Sequence, residues 1–247
     1  GYHKKLNSVF KNRDKNAPTE EVVVVKPELI AVKTEGADYF SLGTNRHGCA
    51  FVSTAVNTPL WTSLASAGKT EEAAAQFKIE NDGLENPIKL VSQYLPEVGC
   101  VDEWMEKILK SRRNFMGYNL LLADRNKAVH IELHGNDSHV TWIDEETVIC
   151  NHFQNLDHGP KKIMDYPNSY ARLQAAEKVI KDFVCLDDIF KTLKPHDGGS
   201  EGSFWRKGDF FTVSSSVIDL DTNALYYTSS PLEDYSRVAG SIPPKGS

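Results

Sequence analysis

Short β-branched runs bounded by polar turns dominate the start of the chain. Ser8 to Phe10 reads as the end of a strand, and Val22-Val23-Val24-Val25 and Leu29-Ile30-Ala31-Val32 read as two more, separated by Pro27. Asp38 to Leu42 and Gly48 to Val56 are predicted as a strand pair joined by the polar turn Gly43-Thr44-Asn45-Arg46-His47. The periodicity then becomes helical. Thr70 to Ala75 is rich in helix formers, Asn86-Pro87 opens a segment running from Ile88 to Tyr94, and Val101 to Leu109 has acids in its first turn and bases at its end. Strands return at Tyr118 to Leu122, Ala128 to Leu133, His139 to Ile143 and Thr147 to Cys150, read as a meander with turns at Asp124-Arg125-Asn126 and Gly135-Asn136-Asp137. Helical spacing resumes from Tyr170 to Val184, with Leu173, Ala176, Val179 and Ile180 on one face, and a short helix is expected over Leu186 to Leu193. The Gly/Ser-rich stretch Gly198 to Ser203 reads as a loop before the last strands, Phe211 to Leu220 and Ala224 to Thr228.

Strands and helices thus come in blocks, without strict β-α-β alternation. This predicts an α+β fold of antiparallel sheets covered by helices, and the absence of a repeat or linker predicts one domain over 1–247. With 40% hydrophobic and 25% charged residues in 247, the chain is expected to bury a core large enough to need neither disulfide nor metal. A net charge of −6 argues against a nucleic-acid partner, and no apolar run reaches membrane-spanning length. The start, Gly1 to Asp14, lacks a signal-peptide pattern, so a soluble, cytoplasmic protein is expected. Cys49, Cys100, Cys150 and Cys185 form no Cys-x-x-Cys pair and are read as reduced thiols rather than metal ligands.

Three polar clusters could carry chemistry. In Lys11-Asn12-Arg13-Asp14, an Asp kept ionised by a neighbouring Arg can orient a nucleophile or an amine, although a surface ion pair explains the same residues. In Val148 to Phe153, Asn151 can offer its amide to a developing oxyanion or simply close a turn, and His152 is a candidate acid or base or a satisfied polar residue. In Asn168-Ser169-Tyr170-Ala171-Arg172, Ser169 or Asn168 would cap a helix, while Arg172 could grip a carboxylate or lie in solvent. Cys49, near His47, is either a buried core thiol or an activated nucleophile.

Five segments, in order, resemble the penicillin-acyltransferase-like family of N-terminal-nucleophile hydrolases, which is related to choloylglycine hydrolases and acid ceramidases. They are Phe10 to Asp14, Thr44 to Phe51, Gly117 to Asp124, Cys150 to Phe153 and Thr212 to Leu220, with Asn168 to Leu173 similar to the family's Ser-and-Arg helix start. The resemblance implies a four-layer αββα sandwich and a hydrolase or acyltransferase acting on a non-peptide or peptide amide bond of a small-molecule amide or acylated substrate. Its nucleophile would be an N-terminal Cys, freed by self-cleavage, whose α-amino group takes the proton. By position Asp14 would be the orienting aspartate, Asn151 the oxyanion donor and Arg172 the helix-start arginine, with Asn12, Arg13 and His152 contacting substrate. No cofactor or metal is implied; a homo-oligomer or a cleaved partner segment is. The family's Cys opens the first strand, where this chain has Gly1-Tyr2-His3, so the nucleophile is expected upstream of Gly1. Lys11 stands where choloylglycine hydrolases usually show Arg, which argues against bile-salt-like substrates. The acyl pocket of such folds is built from loops, for which Asn57 to Ala67 and His196 to Trp205 are the candidates here, and the competing reading is a non-catalytic protein of the same fold that binds a small acylated ligand.

Overall fold

The computed structural model describes residues 1–15, 19–111, 113–156, 167–194, 211–230 and 233–238. In chain order come β1 (Tyr2–His3), β2 (Ser8–Lys15), β3 (Glu21–Lys26), β4 (Leu29–Thr34), β5 (Leu42–Asn45) and β6 (Ala50–Ala55). Four helices follow: α1 (Pro59–Ser66), α2 (Thr70–Glu80), α3 (Pro87–Tyr94) and α4 (Val101–Lys110). The chain continues through β7 (Phe115–Ala123), β8 (Ala128–Gly135), β9 (Asp137–Ile143), α5 (Pro167–Val179) and α6 (Leu186–Leu193), and then β10 (Phe211–Asp219), β11 (Ala224–Thr228) and β12 (Ser236–Arg237).

The strands form two antiparallel sheets, one ordered β1-β2-β10-β11-β12 and the other β3 through β9 in sequence. Alternation along each strand divides the core into three seams. Val9, Ile218 and Leu225 from the first sheet meet Ile30, Val32, Leu42, Val52 and Leu121 from the second between the sheets. The opposite face of the seven-stranded sheet, through Leu29, Phe51, Leu120 and Leu122, packs on α3 and α4 around the fully buried Trp104. Phe10 and Val217, on the other face of the five-stranded sheet, pack on Ile189 and Leu193 of α6 and on Ile180 and Phe183 just after α5. The result is the four-layer αββα sandwich, an α+β fold.

Most strands and helices fall where periodicity puts them, and the departures have physical causes. The strand expected from sequence at Asp38 to Leu42 lies instead at Leu42–Asn45, fully buried, and takes in Gly43 to Asn45, expected as turn. Its polar side chains find distant partners: Thr44 Oγ1 donates to Asn223 Oδ1 at 2.5 Å, and Asn45 Nδ2 donates to the Leu95 and Val98 carbonyls at 2.7 and 2.8 Å. Gly43 is required there, because a Cβ would stand 2.8 Å from that of Ala31. The turn itself falls at Gly48, with φ of +79°. Thr147 to Cys150, expected as a strand, makes only an isolated bridge from Thr147 to Tyr2. The segment 57–67, expected as a loop, contains α1, started by Pro59 and by Thr58, whose hydroxyl accepts from Trp61 N at 3.2 Å. The Gly198 to Ser203 loop lies outside the described residues.

Candidate active site

Strand β2 presents two chemistries on its two faces. Lys11, Arg13 and Lys15 alternate toward the facing sheet: Lys11 Nζ donates to the Ser53 carbonyl on β6, and Arg13 pairs with Glu21 on β3 and donates to Thr34 Oγ1 at 3.2 Å. Asn12 and Asp14 point the other way. Asn12 Nδ2 donates to the Leu193 carbonyl at 3.0 Å, and Asp14 Oδ1 accepts from Thr212 Oγ1, its cross-strand partner, at 2.7 Å.

Asn151 sits across the gap from β2, held on every side. Its backbone N–H donates to Ser169 Oγ at 2.9 Å, and its Oδ1 accepts from Arg172 at 2.9 Å. Because a guanidinium can only donate, that contact fixes the amide's orientation. Nδ2 therefore faces β6, donating to Thr54 Oγ1 at 2.6 Å and to the Ala55 carbonyl at 2.9 Å. Asp14, Asn151 and Arg172, predicted from separate sequence clusters, thus line one site, together with Asn12. Arg13 reaches the same region, but its charge is committed to Glu21. His152 lies behind it: it is 2% exposed, borders neither cavity, shares Ser169 Oγ at 2.8 Å and stacks on Tyr170 at 4.0 Å. Its place is that of a support for Asn151 rather than a substrate contact, and burial, then the Arg172 charge, lowers its basicity.

Two cavities meet at this cluster, sharing Lys11, Asn12, Asp14, Ser53, Thr54, Asn151 and Arg172. The smaller, about 130 Å³, runs between Phe10 to Asn12 of β2 and Val148 to Asn151, and it is floored by Phe183 and Leu193. The larger, about 530 Å³, opens toward Tyr39, Trp61, Ser63 and Tyr118. Lys11 lies on both. Burial, and then Arg13, pushes its ammonium down to about 7. Cys150 also lines the smaller cavity, where burial raises its thiol against the opposing pull of Arg172. Cys49 is elsewhere: it is fully buried in the helix-facing core, with its thiol pushed up to about 12 by burial and by Asp124. Cys49 borders neither cavity and so stands apart from the site that holds Asp14, Asn151 and Arg172.

Sequence reasoning missed the residues that hold Asn151 in place. Asn119 on β7 and Glu132 on β8 are register partners, both fully buried. Asn119 Nδ2 donates to the carbonyls of Cys150 and His152, at 2.8 and 2.9 Å, on either side of Asn151. The Glu132 carboxylate accepts the backbone N–H groups of Gln154, Asn155 and Leu156. His130 Nε2 completes the group at 3.0 Å from Asn119 Oδ1; since that oxygen accepts, the ring is the Nε2–H tautomer.

Burial pushes the His130 ring down to about 4, whereas the unfolded chain takes up the proton near 6.5. Between those values the unfolded state binds more protons, so folding stability is complete above pH 6.5 and falls as pH falls toward 4. His3 and His152, also lowered by burial, act in the same direction. Urea unfolding at pH 7 and pH 4.5 is expected to differ by about 2 kcal/mol. His130→Gln, which keeps a donor toward Asn119, should flatten that dependence.

Among the described residues no group of three or more His, Cys, Asp or Glu is placed to hold a metal, and no helix is long and apolar enough to cross a membrane. No family model and no curated protein sequence matches the chain. Solved structures do. A mutant of conjugated bile acid hydrolase from Clostridium perfringens superposes with a TM-score of 0.55 at 10% identity, covering 96% of this chain and 90% of that one. An N-acylethanolamine-hydrolyzing acid amidase ortholog from Caenorhabditis elegans gives 0.55 at 11% identity, covering 89% and 91%. Penicillin V acylase from Agrobacterium tumefaciens gives 0.52 at 13% identity, covering 99% and 87%. At such identities the likeness is one of architecture, and the two stacked antiparallel sheets between helical layers give this chain the fold of the N-terminal-nucleophile hydrolases.

Proposed function

We propose that this protein is an amide-bond hydrolase or acyltransferase whose nucleophile is the thiol of a cysteine a few residues ahead of Gly1. One observation carries the reading: the smaller cavity is lined by the continuations of the two backbone stretches that flank β1. Its two walls are backbone edges already paired with β1, since Tyr2 pairs with Val9 on one side and with Thr147 on the other. Each step back from Gly1 is matched by a step forward along β2 and along the stretch after Thr147. In a chain that continues β1 backward, the third residue ahead of Gly1 would face Asn151 and the fourth would face Asp14. A cysteine opening that strand would lie at the junction of the two cavities.

In this reading the cysteine's own α-amine, held by Asp14, takes the thiol proton, as a group with an ordinary pKa near 8 can. The thiolate attacks the amide carbonyl, and Nδ2 of Asn151, exchanging its bond to Ala55 or Thr54 for one to the substrate, donates to the oxyanion. Collapse breaks the C–N bond, the amine leaves with the α-ammonium proton, and water or another amine takes the acyl group from the thioester. The liking of the fold for this chemistry is shared with the amidases and hydrolases named above. Cleavage of a preceding segment would expose the cysteine.

A chain extended so that cysteine is the N-terminal residue, fourth ahead of Gly1, tests this. Mixed with N-octanoylglycine it is expected to release octanoate and to carry a transient octanoyl adduct on that cysteine by mass spectrometry, both lost when the cysteine is replaced by alanine. An inert terminal thiol and no product from a panel of N-acyl amines would defeat the proposal. The second reading, a non-catalytic binder of acylated ligands, is favoured by Asn151, whose amide is fully engaged by Arg172, Thr54 and Ala55. It predicts thermal stabilisation by such ligands without turnover.

A further inference from the structure

The larger cavity has a charge that the rest of the molecule does not share. The chain carries a net −6, yet among the described residues this cavity is lined by Lys11, Arg13, Lys15 and Arg172 against a single acid, Asp14. Three of the cations come from one strand. Positions 11, 13 and 15 of β2 share a face, about 7 Å apart at each step, and make a basic stripe along the cavity wall. Among the described residues only Arg13 in that stripe has a carboxylate at ion-pair distance, Glu21, which also accepts from Ser214 Oγ. Lys11 is spent on a backbone carbonyl, and Lys15 has no ion pair among the described residues. Burial followed by the repulsion of Arg13 weakens the Lys15 ammonium, so an incoming anion would relieve an existing cost. Tyr39, Trp61 and Tyr118 supply apolar surface for the remainder of a ligand, and a volume near 530 Å³ is that of a small-molecule site.

We infer that the larger cavity selects amides that carry a carboxylate, with Lys15 the residue that recognises it: N-acyl amino acids and their relatives rather than neutral N-acyl amines. This inference rests on the proposed function only for which cavity receives substrate; the recognition itself needs no turnover. Isothermal titration of the chain with N-octanoylglycine and with its neutral counterpart N-octanoylglycinamide tests it. The acid is expected to bind about tenfold or more tightly, as for a hydrogen bond to a charged group, and the preference should shrink with added salt. Lys15→Gln should reduce that preference to about twofold or less while leaving glycinamide affinity in place, and Lys15→Arg should restore it. Equal affinities for the two ligands, or a preference untouched by Lys15→Gln, would overturn the inference. Binding of the acid with this pattern but no hydrolysis by the cysteine-extended chain would overturn the catalytic proposal alone, whereas hydrolysis with a preference for the glycinamide would overturn only the carboxylate inference.

Discussion

Glu132→Ala is expected to lower the unfolding free energy by about 3–5 kcal/mol, read as a fall in the urea midpoint at unchanged slope. The carboxylate is fully buried and is the acceptor for three consecutive backbone N–H groups, those of Gln154, Asn155 and Leu156. Alanine removes the acceptor of all three donors; Gln154 and Asn155 are exposed residues, but Leu156 is buried, and a hydrogen bond to a charged group contributes about 1.5–3 kcal/mol. Glu132→Gln should fall between parent and alanine. Its carbonyl oxygen can still accept, but its NH2 would face a backbone donor, so at least one bond is lost. A midpoint within experimental error of the parent for Glu132→Ala would show that the segment holds itself in place. The expected loss extends to the site, because residues 154–156 continue the chain from Asn151 and share their anchoring with Asn119.

That anchor is also where sequence reading stopped. Asn151, Asp14 and Arg172 could be singled out because each ends an apolar strand or begins a helix, places where a polar residue breaks the local pattern. Asn119 and Glu132 sit inside strands, between Tyr118 and Leu120 and between Ile131 and Leu133, where alternation makes any polar residue look solvent-facing. Their burial follows from the segment 150–156 crossing that end of the sheet, a contact between residues far apart in sequence that no periodicity encodes. The same blindness explains Leu42–Asn45: a Gly-Thr-Asn string reads as a turn unless one knows that Asn223 and the carbonyls of Leu95 and Val98 will meet it. By contrast the Val22 to Val25 and Leu29 to Val32 hairpin was legible, since β-branched runs about a turn need only each other. Helix α1 carried a readable start in Thr58-Pro59, but its weak apolar stripe, with only Ala65 buried, gave periodicity little to detect. The loop His196 to Trp205, a candidate acyl-pocket wall by sequence, lies outside the described residues. The remaining candidate loop, 57–67, does reach the larger cavity, through Asn57, Trp61 and Ser63 of the segment that holds α1.

Asn151→Ala in the cysteine-extended chain is expected to lower kcat for N-octanoylglycine by about 10²–10³, with little change in KM, because the amide donates to charge that develops only in the transition state. The lost side chain also frees Arg172, Thr54 and the Ala55 carbonyl, so the comparison needs a variant that keeps the shape. Asn151→Asp supplies it. An aspartate can still accept from Arg172 and from the Thr54 hydroxyl and loses only the bond to the Ala55 carbonyl, so more of the surrounding fold should survive than with alanine, but it offers no donor to an oxyanion and adds a negative charge where one must form. If Asn151 merely ties α5 to β6, Asn151→Asp should retain most of the activity that Asn151→Ala loses. If it stabilises the oxyanion, Asn151→Asp should be at least as slow as Asn151→Ala while unfolding at a higher urea concentration, and it is this opposition of rate and stability that separates a catalytic group from a structural one.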